Sequence, residues 1–234
     1  MNILAVGAHP DDLEICCAGT LAKYAAMGHK IGMAVMTDGA TGSSTIPASE
    51  LVQLREKEAR ASAAVIGAKF YWLGFPDGKL EYNVETRMKL NSVVRDFRPE
   101  LIITHNPEDY ISDHRITSKH VVDVGLWAHV GPLIPDEKGL DAVPSVAFMD
   151  PLNGVGFIPE RYIDISQYID TKKKMLMCHR TQQDWLSDYG NVNYVDMIDV
   201  NGRYRGFQSG VAYAEGFRIW QGWQTSKCEP IMPY

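Results

Sequence analysis

Short apolar runs recur through the first 150 residues of the chain: Asn2 to Val6, Lys30 to Thr37, Lys69 to Leu73, Leu101 to Thr104 and Ser145 to Met149. Mostly apolar runs of this kind, without strict alternation, are typical of strands buried on both faces. Between them the hydrophobic period becomes helical. Glu14 to Met27 ends at Gly28, Ser49 to Ile66 ends at Gly67, Val84 to Phe97 stops before Pro99, and His114 to His129 runs up to Gly131. Strands separated by helices predict right-handed crossovers and a mostly parallel sheet covered on both faces, a Rossmann-like three-layer sandwich of the α/β class.

After residue 150 the pattern changes. A Gly/Pro-rich loop from Asp150 to Pro159 precedes a short strand at Arg161 to Ile165, a helix from Ser166 toward Trp185 and another over Tyr194 to Phe207. The stretch Tyr213 to Phe217 and an aromatic, proline-containing tail follow. This predicts a smaller C-terminal α+β extension. Nothing reads as a linker, so residues 1–234 are expected to form a single domain.

Composition narrows the class. With 45% hydrophobic and 22% charged residues the chain is globular, and no apolar stretch approaches the roughly 18 residues that span a bilayer. The N-terminal run lacks a basic region and a small-residue cleavage site, so a cytoplasmic protein without a membrane partner is expected. Cys16, Cys17, Cys178 and Cys228 form neither a CxxC pair nor a disulfide framework and read as reduced thiols. The net charge is −6 and basic residues cluster only at Lys172-Lys173-Lys174, which argues against a nucleic-acid partner.

The candidate chemistry lies at two strand ends. The first apolar run empties into Ala8-His9-Pro10-Asp11-Asp12-Leu13-Glu14, one imidazole and three carboxylates where open α/β sheets bind ligands. His9 and Asp12 are ordinary zinc-ligand types, and a catalytic site needs a third. After the fourth strand, His105 to His114 supplies it in His114, with Asp113 placed to orient the ring. Asp11 is then left to accept a proton from the metal's water. Taken singly, His9 is also an ordinary loop residue, and Asp12, Glu14 and Asp113 are also helix caps. Those readings do not account for imidazoles and carboxylates concentrating at strand ends that this topology brings together. A dinucleotide site is disfavoured, since the loop lacks the glycine fingerprint and its carboxylates would repel a pyrophosphate.

Ala8-His9-Pro10-Asp11-Asp12-Leu13-Glu14, followed by Cys17-Ala18-Gly19-Thr20, resembles the signature of the PIG-L or LmbE-like family of zinc-dependent N-acetylglucosaminyl deacetylases. Leu54 to Arg60, Leu73-Gly74-Phe75-Pro76-Asp77-Gly78-Lys79-Leu80, Asp113-His114-Arg115, Cys178 to Gln182 and Tyr213 to Phe217 are similar to its later segments. The resemblance spans nearly the whole chain. It implies that His9, Asp12 and His114 hold one zinc ion, that Asp11 is the general base, and that Asp113 is a carboxylate near that base. Arg55 and Asp77 match positions that face the sugar or its acetyl group. The implied partner is a small N-acetylated sugar or glycoside, hydrolysed to acetate and a free amine, with the metal sharing the charge of the tetrahedral intermediate. Members are often homo-oligomers, and Trp220, Trp223 and Tyr234 are aromatic positions that could bury against a partner.

One position departs from the family. Many members carry a histidine three residues before the last zinc ligand, as an oxyanion donor, where this chain has Ile111. Loss of one such donor typically costs about 10² to 10³ in turnover. Replacement donors are sought in Tyr110, His105, His129 and the His179-Arg180 pair, with Tyr110 and His179 counted among the substrate-facing residues. His129 and His179 also suit plain helix-end packing. Two alternatives are that Asp11 serves as base and then acid, and that the chain binds ligand with little turnover. The loops Thr41 to Ala48, Gly74 to Asn83 and Gly131 to Val143 are expected to rim the pocket.

Overall fold

The structure, a computed structural model, describes residues 1–130, 138–190 and 193–222, without the side chains of 188–190. Cys228, Trp223, Tyr234 and residues 131–137 of one expected rim loop lie outside the described residues. The chain runs β1 (Asn2–Gly7), α1 (Asp12–Cys16), α2 (Ala18–Ala26), β2 (Lys30–Thr37), α3 (Ala48–Val65), β3 (Lys69–Phe75), α4 (Val84–Phe97) and β4 (Leu101–Thr104). It continues through α5 (Ser112–Trp127), β5 (Ser145–Met149), β6 (Arg161–Asp164), α6 (Ile169–Leu176), α7 (Arg180–Gly190), α8 (Tyr194–Ser209) and β7 (Ala214–Ile219). The strands form one sheet in the order β3-β2-β1-β4-β5-β7-β6. β1 to β5 pair in parallel, and β7 lies antiparallel between β5 and β6.

Alternate residues of β1 point to opposite faces, and each face closes a core layer. Ile3 and Ala5 pack with Leu13, Leu21, Met175 and Ile198 from α1, α2, α6 and α8. Leu4 and Val6 pack with Leu90 and Val94 of α4 and Val121 and Val124 of α5. The expected three layers are therefore present. The C-terminal extension is less separate than its pattern implied, because β6 and β7 continue the same sheet.

Two predicted helices are each broken. The helix read over Glu14 to Met27 stops at Cys17, whose backbone lies at φ −146° and ψ 5°. The break is stabilised from far along the chain: Glu215 on β7 accepts hydrogen bonds from Gly19 N at 3.0 Å and Thr20 N at 2.7 Å, capping the start of α2. The helix read from Ser166 toward Trp185 divides at residues 177–179, where tight bonds from Cys178 N to Met175 O and from His179 N to Leu176 O end α6. Trp220 packs within the chain, against the cluster on the α4–α5 face. Among the described residues no helix is long and apolar enough to cross a membrane.

The sheet order reverses direction at β1: β2 and β3 extend to one side, β4 and β5 to the other. Val6 pairs with Thr104, so the loops leaving β1 and β4 rise side by side above the sheet. A crevice at such a switch point is where open α/β sheets bind ligands.

Candidate metal and catalytic site

Ala8 is fixed by the end of β2, since Thr37 donates to its carbonyl from both N and Oγ1 at 2.8 Å. His9 and Asp12 then close a tight turn through the bond from His9 N to Asp12 Oδ2 at 2.6 Å. Asp11 sits inside this turn at φ 115°, a left-handed conformation that non-glycine residues rarely adopt and that tends to mark functional sites.

His9 Nδ1 faces His114 Nε2 at 3.2 Å, and Asp12 lies 3.4 Å from the first and 3.3 Å from the second. The ligand-type atoms of His9, Asp12 and His114 all lie within 4.8 Å of one another. The far nitrogen of each ring is engaged by a carboxylate. His9 Nε2 is 3.2 Å from Asp77 Oδ1, and His114 Nδ1 is 3.0 Å from Asp109 Oδ2. A ring nitrogen that donates to a carboxylate leaves its other nitrogen bare, so both lone pairs point to the same place. At most one proton fits between the two facing nitrogens, whereas one cation would take both lone pairs together with Asp12. The donor set thus fits a metal such as zinc.

The electrostatics agree. Burial opposes charge on both rings, yet Asp12 together with hydrogen bonds to neighbouring carboxylates holds His9 well above its ordinary pKa and pushes His114 up to about 9. Burial would raise Asp12, but His114, His105 and His9 hold it well below the usual range. His105 is pushed down to about 4 by burial and by His114, on which its ring stacks at 3.8 Å. It is therefore neutral, and its Nε2 accepts the Ala8 N–H at 3.0 Å while lying 3.1 Å from Asp12 Oδ2. The pocket attracts positive charge and carries a surplus of buried carboxylates.

Beside this cluster, Asp11 Oδ2 accepts from Arg55 Nη2 at 3.2 Å and from the Tyr194 hydroxyl. Burial and the nearby Asp12 charge raise the Asp11 pKa against the pull of Arg55. Arg55 is itself tied to Pro10 O at 2.6 Å and Gly39 O at 3.2 Å. These groups line a cavity of about 450 Å³ whose wall also includes Ile15, Tyr110, Ile111, Trp185 and Met197.

A profile of the PIG-L family, described as GlcNAc-PI de-N-acetylase, matches residues 4–124, the segment that contains every member of this cluster except Tyr194. The chain belongs to the PIG-L family. It is 28% identical over 233 residues to the diacetylchitobiose deacetylase of Thermococcus kodakarensis, covering 94% of this chain and 84% of that protein. The crystal structure of the Pyrococcus horikoshii N,N'-diacetylchitobiose deacetylase with its inhibitor MPG superposes with a TM-score of 0.81 at 26% identity, over 93% of this chain and 83% of that one. GalB, the 4-carboxy-2-hydroxymuconate hydratase of Pseudomonas putida KT2440, shares the fold at a TM-score of 0.82 and 22% identity, over 99% of this chain and 100% of that one. Fold alone therefore does not name the reaction.

Several sequence expectations are corrected. Asp109, not Asp113, orients His114. Neighbours on a helix diverge by about 100°, so Asp113 turns away from His114, whereas Asp109 reaches back from ahead of the helix. Asp113 accepts from Gly78 N at 2.9 Å and lies 3.5 Å from His9 Nε2, and the partners of Asp11 are Arg55 and Tyr194 instead. Asp77 lines the cavity but spends one oxygen on His9 and the other on Thr41 N and Oγ1. Burial would raise its pKa, but those hydrogen bonds hold it well below the usual range. Arg55 lines the cavity with its guanidinium already committed to Asp11 and two carbonyls. His179 is outside the cavity wall, 1% exposed, with Nε2 3.3 Å from Glu14 Oε1. It ties the start of α7 to α1 rather than facing a substrate. His129 is exposed, beyond the far end of α5. Tyr110 does line the cavity beside Ile111 and is 59% exposed. Tyr194, 1% exposed, is the functional contact that sequence reasoning missed: an isolated tyrosine in the C-terminal extension carries no local signal.

Proposed function

We propose that this chain is a zinc-dependent deacetylase that hydrolyses the N-acetyl group of an N-acetylglucosamine-type sugar or glycoside to acetate and a free amine. The observation that carries the reading is the convergence of His9, Asp12 and His114 on one point of a 450 Å³ cavity, with Asp11 beside them. The diacetylchitobiose deacetylases it resembles supply the substrate class. His9, Asp12 and His114 would hold one zinc ion. When bound, zinc supplies a Lewis acid for the amide carbonyl and lowers the pKa of water to about 7.

The chain's own residues supply the proton transfers. Arg55 and Tyr194 both hold Oδ2 of Asp11, which leaves Oδ1 to take the proton of the attacking water and pass it to the departing nitrogen. Asp77 and Asp109 keep the two imidazoles in the tautomers that face inward. The Ile111 side chain has no hydrogen to donate, and its backbone N–H is spent on Asp109 Oδ1 at 2.9 Å, so the Tyr110 hydroxyl beside it is the donor that serves the oxyanion side. The free thiols Cys16, Cys17 and Cys178 support a reducing, cytoplasmic setting, and the continuous sheet supports one domain. The exposed apolar side chains Tyr204 and Phe207 of α8 support a homo-oligomer.

The test is acetate and amine release by zinc-loaded protein from N-acetylglucosamine and N,N'-diacetylchitobiose. Asp11→Asn is expected to lower kcat by about 10² to 10⁴ with metal content unchanged. Full turnover in that variant would overturn the mechanism. Retained sugar affinity without acetate from any substrate would leave a ligand-binding protein, the reading that Ile111 favours.

A further inference from the structure

The lining of the catalytic cavity divides along the sheet. In the strand order, β2 and β3 lie on one side of β1, and β4 and β5 on the other. Thr41, which follows β2, and Asp77, which follows β3, line the cavity together with Arg55 of α3 and Gln182 of α7. Gln182 belongs to that side, because a Cβ on Gly42 would meet its Oε1 at 2.7 Å, and this buried oxygen has no partner among the described residues. Ile111, which follows β4, and Leu152, which follows β5, line the opposite part. Met197 stands with them, since one turn farther along α8 Asn201 Nδ2 donates to Leu152 O at 2.7 Å. His9, Asp12 and His114 lie at the junction, on the segments that leave β1 and β4.

The second part is a hydrocarbon wall. Leu152, Met197 and Leu186 of α7 are half-buried and pack on the core cluster that contains Ile15, which borders the cavity as well. Beside Leu152, Asn153 has its Oδ1 taken by Val155 N at 3.1 Å. Ile111 carries the apolar surface up to the metal ligands, since it precedes His114 by less than one turn of α5. Apolar side chains left half-covered in a cavity are completed by an apolar ligand group, and each methylene buried there is worth roughly fourfold in binding.

An N-acylated sugar has two ends of opposite chemistry. Its hydroxyls need polar partners, which the β2–β3 side provides. Its acyl chain needs hydrocarbon, which the β4–β5 side provides. An acetyl group offers that wall a single methyl, far less than Ile15, Ile111, Leu152, Leu186 and Met197 can cover.

We propose that the β4–β5 side of the cavity takes aliphatic acyl groups longer than acetyl, so that the chain is an amidase of N-butanoyl- and N-hexanoyl-type amino sugars in preference to N-acetyl ones. The inference rests on the hydrolase reading of the metal site. Water adds across the amide: its oxygen goes to the acyl carbon, the C–N bond breaks, and Asp11 Oδ1 carries the water proton to the nitrogen, giving a carboxylic acid and a free amine. Steady-state release of amine from N-acetyl-, N-butanoyl- and N-hexanoylglucosamine tests it. The parent is expected to show a kcat/KM about tenfold higher for N-butanoyl- than for N-acetylglucosamine, from two added methylenes. Met197→Ser and Leu152→Ser are each expected to lower that ratio severalfold, while Met197→Leu keeps it. The ratio is taken within one preparation, so it does not depend on how much of a variant folds or holds metal. A parent ratio at or below one, or a ratio unchanged in both serine variants, would overturn the acyl wall and leave the N-acetyl reading standing. If the parent hydrolyses none of the three amides, the hydrolase reading fails, and calorimetric titration of the intact amides then decides the wall alone. Tighter binding of N-hexanoyl- than of N-acetylglucosamine supports it, and equal Kd values reject it.

Discussion

Asp109 and Asp77 set the direction of the two imidazoles, and so decide what His9 and His114 can hold. Carboxylates behind metal-binding histidines typically contribute 10- to 100-fold in metal affinity. Asp109→Asn is accordingly expected to weaken zinc binding by about that factor, read by competition with a chromogenic chelator; an unchanged affinity would show that the ring is oriented by other contacts. At the oxyanion side, Tyr110→Phe is expected to lower kcat by about 10² with zinc content intact. Unchanged turnover would remove Tyr110 as the donor opposite Ile111. The first motif was legible residue by residue, because its spacing is local. The partner of His114 was not, because helix geometry turns the adjacent carboxylate away and brings round one that the sequence places farther off.

At the scale of elements, the short helix α1 exists as a separate unit because the chain breaks at Cys17, and the break depends on Glu215. Glu215 is 4% exposed and is also paired with the buried Lys172, so its removal strands both a cation and two helix N–H groups. Breaking such a pair from one side costs about 3 to 5 kcal/mol. Glu215→Ala is therefore expected to lower Tm by roughly 6 to 20 °C, followed by circular dichroism. A shift of only a degree or two would show that the cap is dispensable. Periodicity located the strands and most of the helices to within a residue or two, yet it missed both interruptions. The hydrophobic period continues across Cys17 and across residues 177–179; what meets each break is a buried carboxylate from elsewhere in the fold, Glu215 at the start of α2 and Glu14 against His179.

For the whole molecule, binding at the junction of the β1 and β4 loops ties together segments about a hundred residues apart in sequence. A ligand that binds only the folded state stabilises it by about 2.7 kcal/mol at a hundredfold excess over Kd. Stripping the metal with a chelator is expected to lower Tm by roughly 5 to 10 °C, and added zinc is expected to restore it. A Tm indifferent to both treatments would argue that no metal is held there. The sequence by itself determined the alternation of strands and helices, hence the parallel sheet, and the local motif that places His9, Asp11 and Asp12 after the first strand. Both are written in neighbouring residues, through side-chain period and turn chemistry. Only the tertiary structure decided which carboxylate faces which ring, that Tyr194 reaches Asp11 from the C-terminal helix, and that β7 enters the sheet to cap α2. Those contacts join residues brought together by strand order and core packing, and no local pattern encodes such a pairing.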